Sequence, residues 1–529
     1  MALETVVIPR VEYEALQAIK QENARLAQAL QNLQEQIRLA NKKRFGRSSE
    51  QSRYDDGSEQ LSMEMLFNEA EVNSDIAPTP AEPDLTRVKA HTRKKHATHD
   101  EKLPENAEIE VVVRELSEEE RICPVCGEET REIGEEVTRK LTIVPAKVVI
   151  VETHRKSYAC RNCEGTGIST PVRTAPAESE FLPGSMCLPE AVAWIMHQKY
   201  VMYAPLYRLE QDFKRMGVEL TRQTMSSWMI RAAERYLESV YRLLKENLLK
   251  EEILHADETT LQVLHEPGRE AQQKSYMWLY RTGRNAAHPI VLYEYCQTRR
   301  AENPRAFLAG YSGYLHTDGY AGYHDLSGDI VIVGCWAHAR RKFDEALNAI
   351  SANDRFSSKA MKGKRYCDAL FAVEDRLDKE AQSENARERT VRRRELAEPI
   401  LAEFREWLTN IHPAPKSALG RAVAYTLEQW SYLTNYLLDG RLEISNNRAE
   451  RSIKPFVMGR KNFLFANTPG GARTAAVIYS LIETAKENEL DPHRYLTWLM
   501  TTAPTLHLTD PVRVAELLPL NAPDRCRTR

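Results

Sequence analysis

Between residues 253 and 334 short apolar runs recur in an order that few folds can accommodate. Ile253–Leu264 is rich in apolar and β-branched residues and reads as a strand, and Ser275–Thr282 and Ile290–Cys296 read as two more. Ala301–Ala309 is a helix candidate, after which Gly313-Tyr-Leu-His-Thr-Asp318 and Asp329-Ile-Val-Ile-Val-Gly334 supply two further strands. The first and fourth strands each carry an acid, Asp257 and Asp318. Glu258, next to Asp257, is expected to face the opposite side of its strand, because successive side chains alternate across a sheet.

Three strands, a helix and two strands is the order of the ribonuclease-H-like fold, in which the first and fourth strands are neighbours. Their carboxylates then converge, and a hard cation such as Mg²⁺ prefers that set because it takes oxygen ligands and keeps waters for substrate to replace. A third carboxylate comes from a late helix, Ser445-Asn446-Asn447-Arg448-Ala449-Glu450-Arg451-Ser452-Ile453-Lys454, which Pro455 is expected to end. Spacings of three and four place Asn446, Asn447, Glu450 and Lys454 on one face. Taken singly each acid is unremarkable, since an Asp at a strand end usually caps a turn and an isolated Glu is usually a solvated ion-pair partner. The order of elements is what binds Asp257, Asp318 and Glu450 into one set.

At 529 residues the chain exceeds what one core sustains, so modules are expected. Residues 1–48 read as a dimerising coiled coil with a basic end: Leu16, Ile19, Asn23, Leu26, Leu30, Leu33, Ile37 and Ala40 follow an a/d seam, with Asn23 at an a position that favours two strands. An amphipathic helix packed on its own domain is the plainer alternative. Residues 49–100 are an acidic, then basic, linker. Residues 101–180 form a zinc-binding module, because Cys123-Pro-Val-Cys126 and Cys160-Arg-Asn-Cys163 flank strand-like runs at Val137–Val144 and Val148–Tyr158 that would bring both pairs onto one structural Zn²⁺. The other five of the nine cysteines are scattered, which suits a reducing compartment. Residues 181–245 are helical, and Pro205–Ile230 is similar to a helix-turn-helix with Thr221 as N-cap and Arg222 and Gln223 presented to DNA. A simple helical hairpin is the alternative there.

The catalytic core would occupy 246–344 and 441–500, interrupted by a mostly helical insertion at 345–440 that contains amphipathic runs at Ala369–Leu377 and Leu396–Leu408, and followed by a tail at 501–529. Trp336 reads as core, and His338 as core or DNA-facing. The formal charge of −3 hides local basic surfaces. Arg340, Arg341, Lys342, Asn447, Arg448, Arg451, Lys454, Arg460 and Lys461 are candidate DNA contacts. No run of about 18 uncharged apolar residues is present to span a membrane, and the first residues lack a signal-peptide pattern, so a cytoplasmic, nucleoid-associated location is expected.

The motifs Ala256-Asp257-Glu-Thr, Thr317-Asp318-Gly-Tyr-Ala-Gly-Tyr, Cys335-Trp-Ala-His-Ala-Arg-Arg-Lys-Phe343, Asn447-Arg-Ala-Glu450-Arg and Gly459-Arg-Lys-Asn-Phe-Leu-Phe together resemble the DDE transposases of the insertion-sequence-66 family. The resemblance covers nearly the whole chain and implies a transposase of a bacterial mobile element. It implies Asp257, Asp318 and Glu450 as its acids, two Mg²⁺ or Mn²⁺ per active site, one structural Zn²⁺ and a homodimer or higher assembly. Its DNA partners would be the terminal inverted repeats and the target, and it suggests small accessory proteins of the same element as further partners. Two other functions fit parts of the pattern: a nuclease on the same fold that cuts without strand transfer, and a sequence-specific DNA-binding regulator with inactive acids.

Overall fold

The computed structural model describes residues 146–159, 172–177, 180–326, 329–351, 354–380 and 385–528, with residue 111 and ten single positions between 17 and 34. The cysteine pairs Cys123/Cys126 and Cys160/Cys163 and the linker at 49–100 lie outside the described residues. Of the expected seam, Ile19, Asn23, Leu26, Leu30 and Leu33 are helical and exposed. Residues 49–154 cluster as a unit separate from the rest of the chain. Val148–Tyr158, read as a strand, carries no ladder before Ser157: Val148 to Val151 are exposed, and β-propensity without a face to bury does not hold a strand. Only β1 (Ser157–Ala159) pairs, antiparallel, with β2 (Val172–Thr174).

A helical region follows, with α1 (Pro189–Tyr200), α2 (Leu206–Arg215) and α3 (Arg222–Ala232). Thr221 caps α3 as expected, its hydroxyl accepting from the Thr224 N–H at 3.2 Å, and Gly217 turns the chain between α2 and α3 with φ of +81°. The second helix does not stop at residue 230. It runs through a π-helical turn at Ala233–Leu237 into α4 (Glu238–Leu248), so Arg222 and Gln223 are the exposed leading end of a long rod.

The five strands expected between 253 and 334 are present: β3 (Ile253–Gln262), β4 (Lys274–Thr282), β5 (Val291–Cys296), β6 (Gly313–His316) and β7 (Ile330–Val333), with α5 (Glu302–Phe307) between β5 and β6. They form one sheet in the order β5-β4-β3-β6-β7. β3 lies antiparallel to β4 and parallel to β6, with His255 in register with His316. The sheet's buried residues are continuous runs, not alternating ones, because both faces are covered. One core contains Trp278, Tyr280, Tyr293 and the C-terminal helices.

The second core gathers Ile253, Val333, Trp336, Phe343 and Phe404. It belongs to α6 (Trp336–Asn348), α7 (Lys359–Glu380), α8 (Ala386–Asn410), α9 (Ala418–Glu428) and α10 (Trp430–Thr434), so 345–440 is mostly helical, as read. Trp336 is fully buried and donates from Nε1 to the Leu433 carbonyl at 2.8 Å.

The late helix departs from expectation. α11 spans Asn447–Phe463 and carries Pro455 inside it, where that residue was expected to end it. An interior proline forgoes one backbone hydrogen bond and crowds the carbonyl four residues back, a cost of about 3 kcal/mol. Buried Ile453 and Phe456 on either side, and Gly459 beyond, hold the helix onto the sheet and offset it. α12 (Pro469–Glu487) packs over β5, followed by α13 (Pro492–Thr502) and α14 (Pro511–Ala515). Gly459 permits close approach of α11 and α12, since a Cβ there would lie 2.2 Å from the Tyr479 hydroxyl oxygen.

Candidate active site

Asp257 stands two residues past His255 on β3, and Asp318 two residues past His316 at the end of β6. Because those histidines are in register on adjacent strands, Asp318 leaves the end of β6 beside Asp257 in the middle of β3. Their proximity has an electrostatic consequence. Burial, then the negative charges of Glu258, Asp318 and Glu450, push the Asp257 carboxyl well above its usual range.

Glu450 enters from α11, whose start is fixed by Asn446. That residue is 1% exposed and donates from Nδ2 to the Ala256 carbonyl at 2.8 Å, while its Oδ1 lies 3.0 Å from His255 Nδ1. Its own N–H points at Cys335 Sγ at 3.1 Å, and its carbonyl accepts from the Glu450 N–H. One side chain thus ties the strand bearing the first acid to the helix bearing the third.

Beneath the acids lies a buried polar layer. His255 and His316 stack with ring centroids 4.3 Å apart and planes 7° from parallel. His255 Nε2 faces Glu443 at 3.0 Å, the Glu443 N–H donates to His316 Nε2, and Arg448 donates to the Glu443 carboxylate at 2.8 Å. Burial, followed by His255, holds His316 well below the ordinary imidazole range. Burial acts to raise Glu443, but His255 and Arg448 outweigh it and hold that carboxylate low and charged.

Glu258 keeps its own partners, Arg299 and the Tyr323 hydroxyl at 2.7 Å, yet it sits beside the site. Burial first, then Asp318, raise its carboxyl. Arg299 also stands 3.9 Å from Asp318 and stacks over the Tyr320 ring at 3.9 Å, and Asp318 Oδ1 accepts from the Tyr320 N–H. Arg299 therefore orients the loop after β6.

On its other side Glu450 meets α6. His338 Nε2 lies 3.5 Å from Glu450 Oε1, and Arg341 lies 3.6 Å from Oε2. Burial opposes a charged His338, but Cys335 and Glu450 outweigh it and raise the ring to about 9. Glu450 Oε1 is buried with no hydrogen-bond partner among the described residues. Glu450 Oε1 thus has an ion-pair neighbour in His338 but no hydrogen bond, and Asp257, Asp318 and Glu450 offer the all-oxygen ligands that a hard divalent cation takes.

The expected DNA contacts divide. Arg451, Lys454 and Lys461 on α11, and Arg222 and Gln223 on α3, are exposed. Arg340 is engaged by Asp368 at 2.5 Å, Lys342 stacks over Tyr425, Arg448 holds Glu443, and Arg460 donates to the Thr259 and Thr260 hydroxyls. Those four act first inside the fold. Asn447 opens α11, half-buried, and Arg341 is drawn to Glu450. Sequence reasoning passed over His255, His316, Glu443 and Arg299. A signal existed for the histidines, since His-x-Asp recurs at His255-Ala-Asp257 and His316-Thr-Asp318, and residues two apart share a strand face.

Comparison with known proteins gives four matches along the chain. Residues 184–474 match the model described as the transposase IS66 family, 120–164 the zinc-finger binding domain of transposase IS66, and 480–520 the IS66 C-terminal element. Residues 32–112 match a model described as transposase C of IS166 homeodomain. Among relatives from Sinorhizobium fredii, the uncharacterized protein y4hP is 30% identical over 480 residues, 87% of this chain and 83% of its own length. The uncharacterized protein y4qI is 31% identical over 513 residues, 93% of this chain and 88% of its own.

Proposed function

We propose, from the premise that this chain belongs to the transposase IS66 family, that it cleaves donor DNA at transposon ends and joins them to target DNA with Asp257, Asp318 and Glu450. The observation that carries the reading is a buried Asp257 near enough to Asp318 and Glu450 to be raised by their charge, with Glu450 Oε1 lacking any hydrogen bond among the described residues. The sheet order β5-β4-β3-β6-β7 supports a ribonuclease-H-like core. Two Mg²⁺ or Mn²⁺ ions held by the three acids would supply charge stabilisation at the scissile phosphate and activate the attacking water or 3′-hydroxyl.

The chain's own residues present and orient the acids. Asn446 fixes Glu450 relative to Asp257, and Arg299 fixes Asp318. The stacked, fully buried His255–His316 pair with Glu443 keeps bulk water from beneath them. Exposed Arg451, Lys454 and Lys461 line the same helix as Glu450 and would meet DNA phosphates. One zinc in the cysteine module, pairing of the exposed seam residues Leu26, Leu30 and Leu33 across a dimer, and small accessory proteins complete the reading. No helix among the described residues is long and apolar enough to cross a membrane.

The test uses full-length protein with DNA carrying the element's ends. Asp257→Ala, Asp318→Ala and Glu450→Ala are each expected to abolish Mg²⁺-dependent cleavage and joining while end binding persists. Strand transfer by any of them at near wild-type rates removes that residue from the site, and cleavage by the wild type without joined product would leave only a nuclease.

A further inference from the structure

Cys335 immediately precedes α6, His338 lies one turn along it, and Glu450 reaches them from α11, so that three ligand atoms lie within 4.8 Å of one another. A sulfur, an imidazole nitrogen and one carboxylate oxygen differ in kind from the all-oxygen set offered with Asp257 and Asp318. Hard Mg²⁺ avoids thiolate and imidazole, whereas borderline-soft Zn²⁺ takes sulfur, nitrogen and oxygen together. The spacing suits zinc as well: His338 Nε2 and Glu450 Oε1 are 3.5 Å apart, and two such ligands on a tetrahedral zinc stand about 3.3–3.6 Å apart.

The site is also partly built without an ion. Cys335 is 1% exposed, and its sulfur is already aimed by the Asn446 N–H at 3.1 Å. Glu450 Oε1 and His338 Nδ1 are buried without hydrogen-bond partners among the described residues. His338 and Glu450 keep 23% and 26% of their side chains exposed, which leaves one open side for entry and a fourth ligand.

We propose that Cys335, His338 and Glu450 form a second zinc site, separate from the cysteine module, and that zinc bound there withholds Glu450 from Asp257 and Asp318 and so inhibits the enzyme. The inhibitory half rests on the assignment of Glu450 to the acid set, whereas the binding half does not. Binding displaces the protons of the thiol and of the imidazole nitrogen that ligates, so it weakens as pH falls.

The experiment is zinc stoichiometry on the full chain, stripped and then titrated with zinc alone, with Co²⁺ as the spectroscopic probe. Wild type is expected to take two zinc per chain, and Cys335→Ser and His338→Gln one. The second Co²⁺ equivalent should show weaker sulfur-to-metal charge transfer than the first, as one thiolate gives against four. A single equivalent in the wild type, or two retained in both folded variants, overturns the site. In Mg²⁺-supported cleavage, Cys335→Ser should need at least ten-fold more zinc than wild type for half-inhibition, each measured against its own zinc-free rate. Equal sensitivity overturns the inhibitory half. If the wild type shows no Mg²⁺-dependent cleavage at all, the proposed function fails, and the stoichiometry still decides the site.

Discussion

Asn446→Ala should loosen the candidate site more than any change at its rim, although the residue touches no substrate. The substitution removes the amide that donates to the Ala256 carbonyl at 2.8 Å and the oxygen 3.0 Å from His255 Nδ1, both in a fully buried setting. Each orphaned buried partner costs about 1–3 kcal/mol, so the strand–helix junction should lose about 2–5 kcal/mol after partial relaxation. The backbone N–H to Cys335 and the carbonyl accepting from Glu450 do not depend on the side chain, so α11 should still form. The loss should therefore be local. Hydrogen exchange followed by mass spectrometry should show peptides over 253–262 and 446–456 exchanging faster by at least ten-fold, with α7 and α8 unchanged, because local opening reports local free energy. Mg²⁺ half-saturation for cleavage should rise in parallel, since Glu450 would no longer be held against Asp257. Protection within about 0.5 kcal/mol of wild type in both peptides would show that Asn446 is not the tie, and the reasoning from orphaned partners would be wrong.

Gly459→Ala should destabilise the chain by about 1–3 kcal/mol, seen as a lower melting temperature, because the new Cβ would meet the Tyr479 hydroxyl and the Phe463 ring in a closed crossing; an unchanged melting temperature would mean the two helices separate freely. Lys199 is pushed down to about 8 from 10.5 by burial, so its folded state resists the charge it carries at neutral pH. Its penalty is present below about 8 and vanishes above 10.5, so Lys199→Met should stabilise by about 3 kcal/mol at pH 7 and by nothing at pH 11; a gain independent of pH would refute the assignment to charge. Cys123→Ser or Cys160→Ser should lower zinc content by one equivalent and expose residues 101–180 to protease, because structural zinc contributes folding free energy of about 10–16 kcal/mol; full zinc content in either variant would exclude it as a ligand.

What was legible in the sequence was whatever depends on local pattern. Five strands, their two acids and a helix bearing Glu450 follow from runs of apolar residues and spacings of two, three and four, and the structure has each of them. Thr221 as a cap was legible for the same reason, since its partner lies three residues away. Pro455 shows where local rules end: its cost is fixed by backbone geometry, but the compensating burial of Ile453 and Phe456 is tertiary and has no local signature. The contacts that shape the site are of the same long-range kind. Asn446 meets residues 190 and 191 positions away, Glu443 meets His316 across 127, and Arg299 meets Glu258 across 41.

Those long-range contacts also explain why so much polar chemistry sits under the acids. A carboxylate crowded by three others cannot be held in place by packing alone, because repulsion would spread the loop after β6 and lift α11 away from β3. Directional bonds resist that spreading where apolar contacts would slide. Arg299 restrains Asp318 from one side, and Asn446 with the His255–His316 layer restrains Glu450 from the other. The acids are thus braced against their own charge, and a cation bound by them would not spend its binding energy on gathering ligands.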